Sequence, residues 1–385
     1  MPVIRLEKVL ALAEEAAEVA SRLADRTDRA ARWPEEPLRT LQASGLAGLV
    51  ISEDKGGWGH GMYALLRVCE TLGRACASTS LCFGMHGVAS AVLASKATDL
   101  QRERFLQPIV DGVHLTTLAL SEPGSGSSFW IPATTLVARS DSIVLDGFKS
   151  FVTNGGRADS YVLNVVSPDT EDEPGEFSCV AVPGTSAGLV WGPSWDGLGM
   201  RGNSSCSVEL ASVEVPRDHV LGQPGDHVWY VFGIVAPYFI AAMTGTYLGI
   251  ADAAFKITTA RLGARRFSHS SRVLADEDVI QADVGELWAV IERTRHLSYQ
   301  AASAADAGED QALPSLFSAK AEVARAVETV VDRCMTLAGG SAYATSSPLW
   351  RHLRDARAAH VMSPTTHLLR LWTGRSVLGK PLLRS

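Results

Sequence analysis

The chain has 385 residues, 46% hydrophobic and 20% charged, an ordinary globular composition with enough chain for two or three cores. A net charge of −7 speaks against nucleic acid and anionic membrane surfaces as partners, since both call for basic patches. No uninterrupted apolar run reaches the ~18 residues needed to span a membrane, and the acids Glu7, Glu14, Glu15 and Glu18 fit neither a secretory nor a transit peptide. The six cysteines have no CxxC spacing and read as reduced, mostly buried thiols of a cytoplasmic protein.

Residues 1–113 read as helical. Leu6, Leu10, Leu12, Ala16, Val19 and Leu23 recur at roughly helical spacing. Pro34 ends that segment or starts the next helix, which runs to a C-cap at Gly45. A Gly-rich loop at 56–61 precedes two more helices, 62–73 and 80–95, the second apolar enough to be buried on most sides. From 114 to 225 the pattern changes to short β-branched runs at 116–120, 134–138, 142–145, 161–166, 178–182, 207–209 and 211–215, punctuated by Gly, Pro, Asn and Asp. Such spacing suggests an antiparallel sandwich or barrel. The acidic stretch 167–175 reads as a solvated connection. Residues 226–385 are helical again, with helices expected at 234–261, 276–305, 316–337, 348–360 and 366–378. The fold class is therefore α+β and multi-domain.

Two segments carry chemistry. Leu118 to Ser128, LALSEPGSGSS, ends a β run in a Gly-rich loop with four hydroxyls, where main chain can approach a ligand closely. No GxGxxG opens a helix and no GxxxxGK[ST] occurs, so neither a Rossmann site nor a P-loop is indicated. Gly147 to Asp159, GFKSFVTNGGRAD, places Phe151 and Thr153 two apart, on one face if they share a strand. An aromatic ring and a hydroxyl on one face suit a planar heterocycle.

Together these segments resemble the paired signatures of the acyl-CoA dehydrogenase family. Further matches are GLAGLVISEDKGGWG (45–59), DGV near 111, GLGMRGNSSCSVELASVEVP (197–216), LAGGSAY (337–343) and RDAR from Arg354. The resemblance runs over nearly the whole chain. It implies an N-terminal helical domain, a central antiparallel β domain, a C-terminal four-helix bundle, and FAD between the last two. Leu118, Leu120 and Ser121 would line the flavin ring, with Phe151 and Thr153 at its other edge. Arg265 or Arg266, with Phe267, resembles an Arg…Phe pair that meets the FAD pyrophosphate of a second subunit, a role suited to a guanidinium. Thr336, Gly339 and Gly340 would approach the adenosine side, and Thr365 is a further FAD contact. Ser127 would meet the CoA portion of the substrate. The implied partners are an acyl-CoA or acyl-carrier-protein thioester, and an electron-transfer flavoprotein or O₂ as acceptor. A homotetramer or homodimer is implied, because the family's FAD site is completed across subunits.

The reaction implied is α,β-dehydrogenation: a base takes the α-proton while a hydride leaves the β-carbon for flavin N5. The segment that carries the family's glutamate base reads RDARAAHVMSPTTHLLR here, and Ser363 falls at that position. Its backbone N–H can still hold the thioester oxygen as it gains charge. The alternative glutamate position, on the helix that begins the C-terminal bundle, falls near Phe239 in the acid-free stretch 231–243. Several readings follow. Another group or water acts as the base, with His86, His360, His367, Tyr238 and Tyr247 as candidate groups. Or a 2-enoyl thioester loses its γ-proton and a δ-hydride, with Phe239 shifting the chain along the pocket. Or the chain is a flavin monooxygenase on the same fold. Or it is an inactive protein that keeps FAD or acyl-CoA.

Overall fold

The computed structural model describes residues 4–167, 176–223, 225–266, 268 and 272–383. Helix α1 (Leu6–Arg29) buries Val9, Ala13, Ala16, Ala17, Ala20 and Ala24 along one stripe, the three-and-four spacing of a helix packed on one side. It ends before Pro34, which is the N-cap of α2 (Glu35–Ala43). Gly45 follows with φ +86°, a left-handed turn that glycine adopts without a Cβ clash. Helix α3 (Met62–Ala75) and the almost wholly buried α4 (Ala77–Ser95) follow. The helical region continues, toward the helix end expected near 111, through α5 (Asp99–Gln101), one π-type turn, and α6 (Gln107–Val110).

Eight strands follow: β1 (Thr116–Ala119), β2 (Thr135–Ala138), β3 (Ser142–Val152), β4 (Ser160–Val166), β5 (Phe177–Pro183), β6 (Leu189–Trp191), β7 (Cys206–Pro216) and β8 (Val220–Leu221). Their order is β6-β7-β3-β2-β4-β5-β8, with β1 also on β4. Most pairings are antiparallel, as expected, but β1 and β2 run parallel to β4, so the sheet is mixed. Strand β3 is far longer than the run 142–145 suggested, and crosses Gly147 with a register shift against β7. The two runs 207–209 and 211–215 are one strand, β7. Strands β6 and β8 were not foreseen. The acidic stretch at 168–175 lies outside the described residues.

Helix α7 (His227–Trp229) continues through a π-helical segment, Tyr230–Val235, into α8 (Ala236–Ala264). Then come α9 (Asp278–Asp306), α10 (Ala312–Ala338), α11 (Pro348–Ala356), α12 (Ala358–Val361) and α13 (Thr366–Val377). Helix α8 is the hub. A Cβ on Gly245 would lie 2.1 Å from the Leu66 carbonyl oxygen and one on Gly249 2.3 Å from that of Glu70. The missing side chains therefore set how closely α3 and α8 approach. One apolar core runs through α1–α4 and α8–α13, and the sheet has its own. Two helical stretches, Ala77–Ser95 and His227–Ala264, are long and apolar enough to cross a membrane. Their most apolar windows are 100% and 67% buried inside the fold, so their apolarity matches that of core helices.

The Arg354-Asp355 dipeptide ties three regions together. Arg354 makes a two-pronged ion pair with Asp28 at the end of α1, and its Nη1 donates to the Leu198 carbonyl at 2.9 Å. Asp355 accepts the Met200 N–H at 2.6 Å, and burial pushes its carboxyl up to about 6. This dipeptide is a clamp on the 197–201 loop.

Candidate active site

A cleft of about 690 Å³ opens where β1, β3, α4, the α7–α8 helix and the α12–α13 connection converge. Its wall contains Leu118, Leu120, Ser121, Phe151, Thr153, Phe239 and Ser363. These residues come from four distant parts of the chain, and the fold brings all seven together. Leu81, Met85, Phe129, Val235 and Ala236 make its apolar side.

The Gly-rich loop after β1 is held by a buried polar knot. Glu122 accepts from the Ala133 N–H at 2.6 Å, the Thr134 N–H at 3.1 Å and the Thr134 hydroxyl at 2.7 Å. Lys149, on β3, donates to Glu122 at 2.5 Å and to the side-chain and main-chain oxygens of Asn164 on β4 at 2.8 and 2.5 Å. Asn164 in turn donates to the Phe129 carbonyl at 2.9 Å. Burial alone would raise the Glu122 carboxyl, but the Lys149 ammonium and the donated hydrogen bonds outweigh it and hold the carboxyl below its usual range. Burial pushes Lys149 the other way, down to about 8 despite Glu122. With its core pinned, the loop leaves the N–H groups of Gly124, Gly126 and Ser127 without a partner among the described residues. A Cβ at Gly124 or Gly126 would meet nothing within 4 Å, so open space lies beside both. Ser127 is exposed at the rim and not in the wall.

Phe151 and Thr153 both reach the cleft, but not by strand alternation. Phe151 sits at φ +55° at a register shift, and β3 ends at Val152. Alternation fails there: Phe151 is 68% exposed, while Thr153 is buried against the Ser205 hydroxyl at 3.3 Å. Trp195 also lines the cleft, its ring 6.1 Å from Phe151 at 82°. A Trp four residues after Trp191, in a Gly- and Pro-rich stretch, was the only sequence signal for it.

The other predicted cofactor residues form a second group, away from this wall. Arg265 follows the last turn of α8, and a Cβ at Gly339 would lie 2.9 Å from its Nη1. Arg261 bonds Ser341 beside it. Gly340 continues the same turn, and Thr336 is spent on the Asp332 carbonyl one helical turn back. Arg266 pairs with Val273 in an isolated β-bridge. Phe267 lies outside the described residues. Thr365 is the N-cap of α13, its oxygen accepting the Leu368 N–H, so it serves the helix and not the cleft.

None of the five candidate replacement bases is in the wall. His86 is fully enclosed. Its Nδ1 accepts the Thr116 N–H at 3.1 Å, so its Nε2–H donates to Ala47 at 3.0 Å, and burial lowers its pKa to about 4. His360 meets Thr366 and Glu328, and His367 is exposed. Burial raises the hydroxyls of Tyr238, to about 12, and Tyr247, whose O–H donates to the Met362 sulfur at 3.7 Å. Among the described residues, the one titratable side chain in the wall is Glu122, already engaged. Ser363 presents a buried hydroxyl without a partner, and its N–H also donates to no described group. Lys320, which sequence reasoning missed, lies behind that turn.

These features fit a flavin and a thioester: an apolar slot, an aromatic ring held out into it, a loop of free amides, and two unspent donors on Ser363. Three family models match in chain order: "Acyl-CoA dehydrogenase, N-terminal domain" over residues 7–113, "middle domain" over 117–213 and "C-terminal domain" over 241–378. The chain belongs to the acyl-CoA dehydrogenase family, whose general activity is FAD-dependent dehydrogenation of acyl-CoA. It is 28% identical over 371 residues to the human mitochondrial short-chain specific acyl-CoA dehydrogenase, covering 94% of this chain and 86% of that one. It is 27% identical over 355 residues to cyclohex-1-ene-1-carbonyl-CoA dehydrogenase of Geobacter metallireducens, covering 91% and 92%. Among solved structures, butyryl-CoA dehydrogenase from Megasphaera elsdenii superposes with a TM-score of 0.90 at 23% identity, covering 97% and 98%, a likeness of fold.

Proposed function

We propose that this chain dehydrogenates an acyl thioester with no side-chain base in the cleft wall. One observation carries the reading: the Ser363 N–H and hydroxyl are unspent donors in a wall whose one ionisable group, Glu122, is already paired. Two donors at the thioester oxygen stabilise the enolate-like charge that develops as the α-proton leaves. Water in the cleft takes that proton. When bound, FAD accepts the hydride from the β-carbon. Leu118, Leu120 and Phe151 exclude solvent from that transfer, and Phe239 packs the acyl chain.

A second reading is γ,δ-dehydrogenation of a 2-enoyl thioester. Phe239 favours it, as bulk where an acid stands in some relatives. So does the relative from Geobacter metallireducens, which is named for an α,β-unsaturated thioester.

Anaerobic mixing of the FAD enzyme with saturated and with 2-enoyl acyl-CoA separates these readings by which thioester bleaches the flavin. Bleaching by neither, on CoA or on an acyl carrier protein, sinks both. Ser363→Glu places a carboxylate at the cleft. A general base is worth about 10²–10⁴-fold, so α,β-dehydrogenation of a saturated acyl-CoA should rise. An unchanged rate means proton removal is not limiting.

We further propose that the enzyme is cytoplasmic and a homotetramer or homodimer. The Arg265–Gly339 group lies off the cleft, where a neighbouring subunit's FAD would reach it. Electrons pass on to an electron-transfer flavoprotein or to O₂.

A further inference from the structure

Lys320 is a fully buried lysine with no carboxylate partner among the described residues. It lies on α10, and its Nζ donates to the Met362 carbonyl at 3.1 Å and the Pro364 carbonyl at 2.9 Å. Those two carbonyls flank Ser363. Burying an ammonium without a counter-ion is costly, so a purely structural tie between two carbonyls would be an expensive choice. Placement gives the amine a second effect. The Met362 carbonyl and the Ser363 N–H belong to one peptide group. A charged donor on that carbonyl polarises the peptide and makes its N–H a stronger donor, as in any hydrogen-bonded chain.

We propose that Lys320 is a positioning residue for catalysis: it fixes the Met362–Pro364 turn and, through the Met362 carbonyl, strengthens the Ser363 N–H toward the thioester oxygen. This rests on the oxyanion role given to Ser363 above. The chain of contacts runs Lys320 Nζ–H to Met362 C=O, then Ser363 N–H to substrate oxygen.

Among the described residues no neighbouring charge takes over this role. On α8 and α9, Asp252 pairs with Arg295 and Lys256. On α11, Arg354 pairs with Asp28, Asp355 accepts the Met200 N–H, and burial holds His352 neutral with a pKa near 3. On α12, His360 faces Glu328, and on α13 His367 and Arg370 are exposed while Arg375 donates to Leu382. Burial alone lowers Lys320, to about 7. Its charge therefore changes within a workable pH range.

The test is isotope-edited infrared spectroscopy of [1-¹³C]acetyl-CoA bound to the FAD enzyme. A two-carbon acyl group has no β-hydrogen and cannot be dehydrogenated, so the carbonyl stretch reports hydrogen bonding alone. The parent protein is expected to shift this stretch to lower frequency at pH 6. The shift should fall by roughly 10–30% in Lys320→Met, since polarisation along a hydrogen-bonded chain strengthens each bond by about that much. It should also shrink in the parent between pH 6 and pH 9. A shift that Lys320→Met leaves intact overturns the role of Lys320 while sparing that of Ser363. Should that variant fail to hold FAD, a parent shift that stays constant from pH 6 to past the ordinary lysine pKa of 10.5 overturns it equally. No shift in the parent at pH 6 overturns the Ser363 reading itself.

Discussion

The Lys149 ammonium lies 2.5 Å from a Glu122 carboxylate oxygen, with the two side chains 0% and 5% exposed. The pair joins β3 to the loop that forms the cleft's Gly-rich edge. Removing one partner of a buried pair leaves the other charge unpaired, at about 3–5 kcal/mol. Lys149→Met should lose stability on that scale and release FAD more readily, because the 122–134 loop is no longer anchored. Chemical denaturation and flavin retention on gel filtration check both. A variant of parental stability would mean that Thr134 and the Ala133 N–H alone satisfy the carboxylate.

Lys320 gives a stability prediction with a defined sign. Its pKa is about 7 when folded, against 10.5 for the ordinary side chain. Between those values the unfolded chain binds more protons than the folded one, so this group's contribution rises with pH. Below pH 7 the buried charge is a full cost, and above about 10.5 the cost is relieved. Lys320→Met carries no such dependence. The stability of the parent relative to this variant should therefore grow from pH 7 to pH 10, by an amount on the order of a few kcal/mol. Urea titrations of both proteins at pH 6.5, 8 and 9.5 measure the difference. A gap that is constant with pH places the lysine in water.

The fold was largely legible because its signals are periodic. The α1 stripe, the continuous apolar runs of β4 and β5 and the apolar length of α8 follow local rules, and each formed close to its expected bounds. What escaped depends on long-range pairing. Strand β6 is three residues long and exists only by pairing with β7. The parallel contact of β1 with β4 spans 44 residues, as between Thr116 and Ser160. At the cleft, Leu118, Ser121 and Ser363 could be placed by motif resemblance. Lys149 and Lys320 could not be given roles, because a lysine's burial and partners are tertiary facts. Phe151 reached the cleft by a register shift and a left-handed backbone, which no alternation rule anticipates.

His86 separates a structural role from a catalytic one. Both ring nitrogens are spent, on the Thr116 N–H and the Ala47 carbonyl, and the ring is neutral above about pH 4. His86→Leu leaves the Thr116 N–H unsatisfied and should cost about 1–3 kcal/mol. The pH profile of kcat/KM should keep its shape, since His86 is not in the cleft wall. Loss of a titration between pH 5 and 8 would instead make His86 the missing base.

Phe151 allows stability and ligand binding to be moved apart. A non-glycine residue at φ +55° stores backbone strain of about 1–3 kcal/mol. The residue is 68% exposed, so little burial offsets that strain in the protein alone. The edge contact with Trp195 is worth only about 0.5–1.5 kcal/mol. Both rings line the cleft, so a bound planar ring would cover them. Phe151→Gly relieves the strain, adds unfolded-chain entropy and removes the aromatic wall. The apoprotein should thus keep its stability to within about 1 kcal/mol, while FAD affinity falls roughly tenfold or more. Trp195→Ala should weaken FAD in the same direction without relieving any strain. Denaturation of the apoproteins, beside fluorescence titration with FAD, resolves the two effects. If Phe151→Gly destabilises the apoprotein and leaves FAD affinity unchanged, the exposed ring supports the fold and not the flavin.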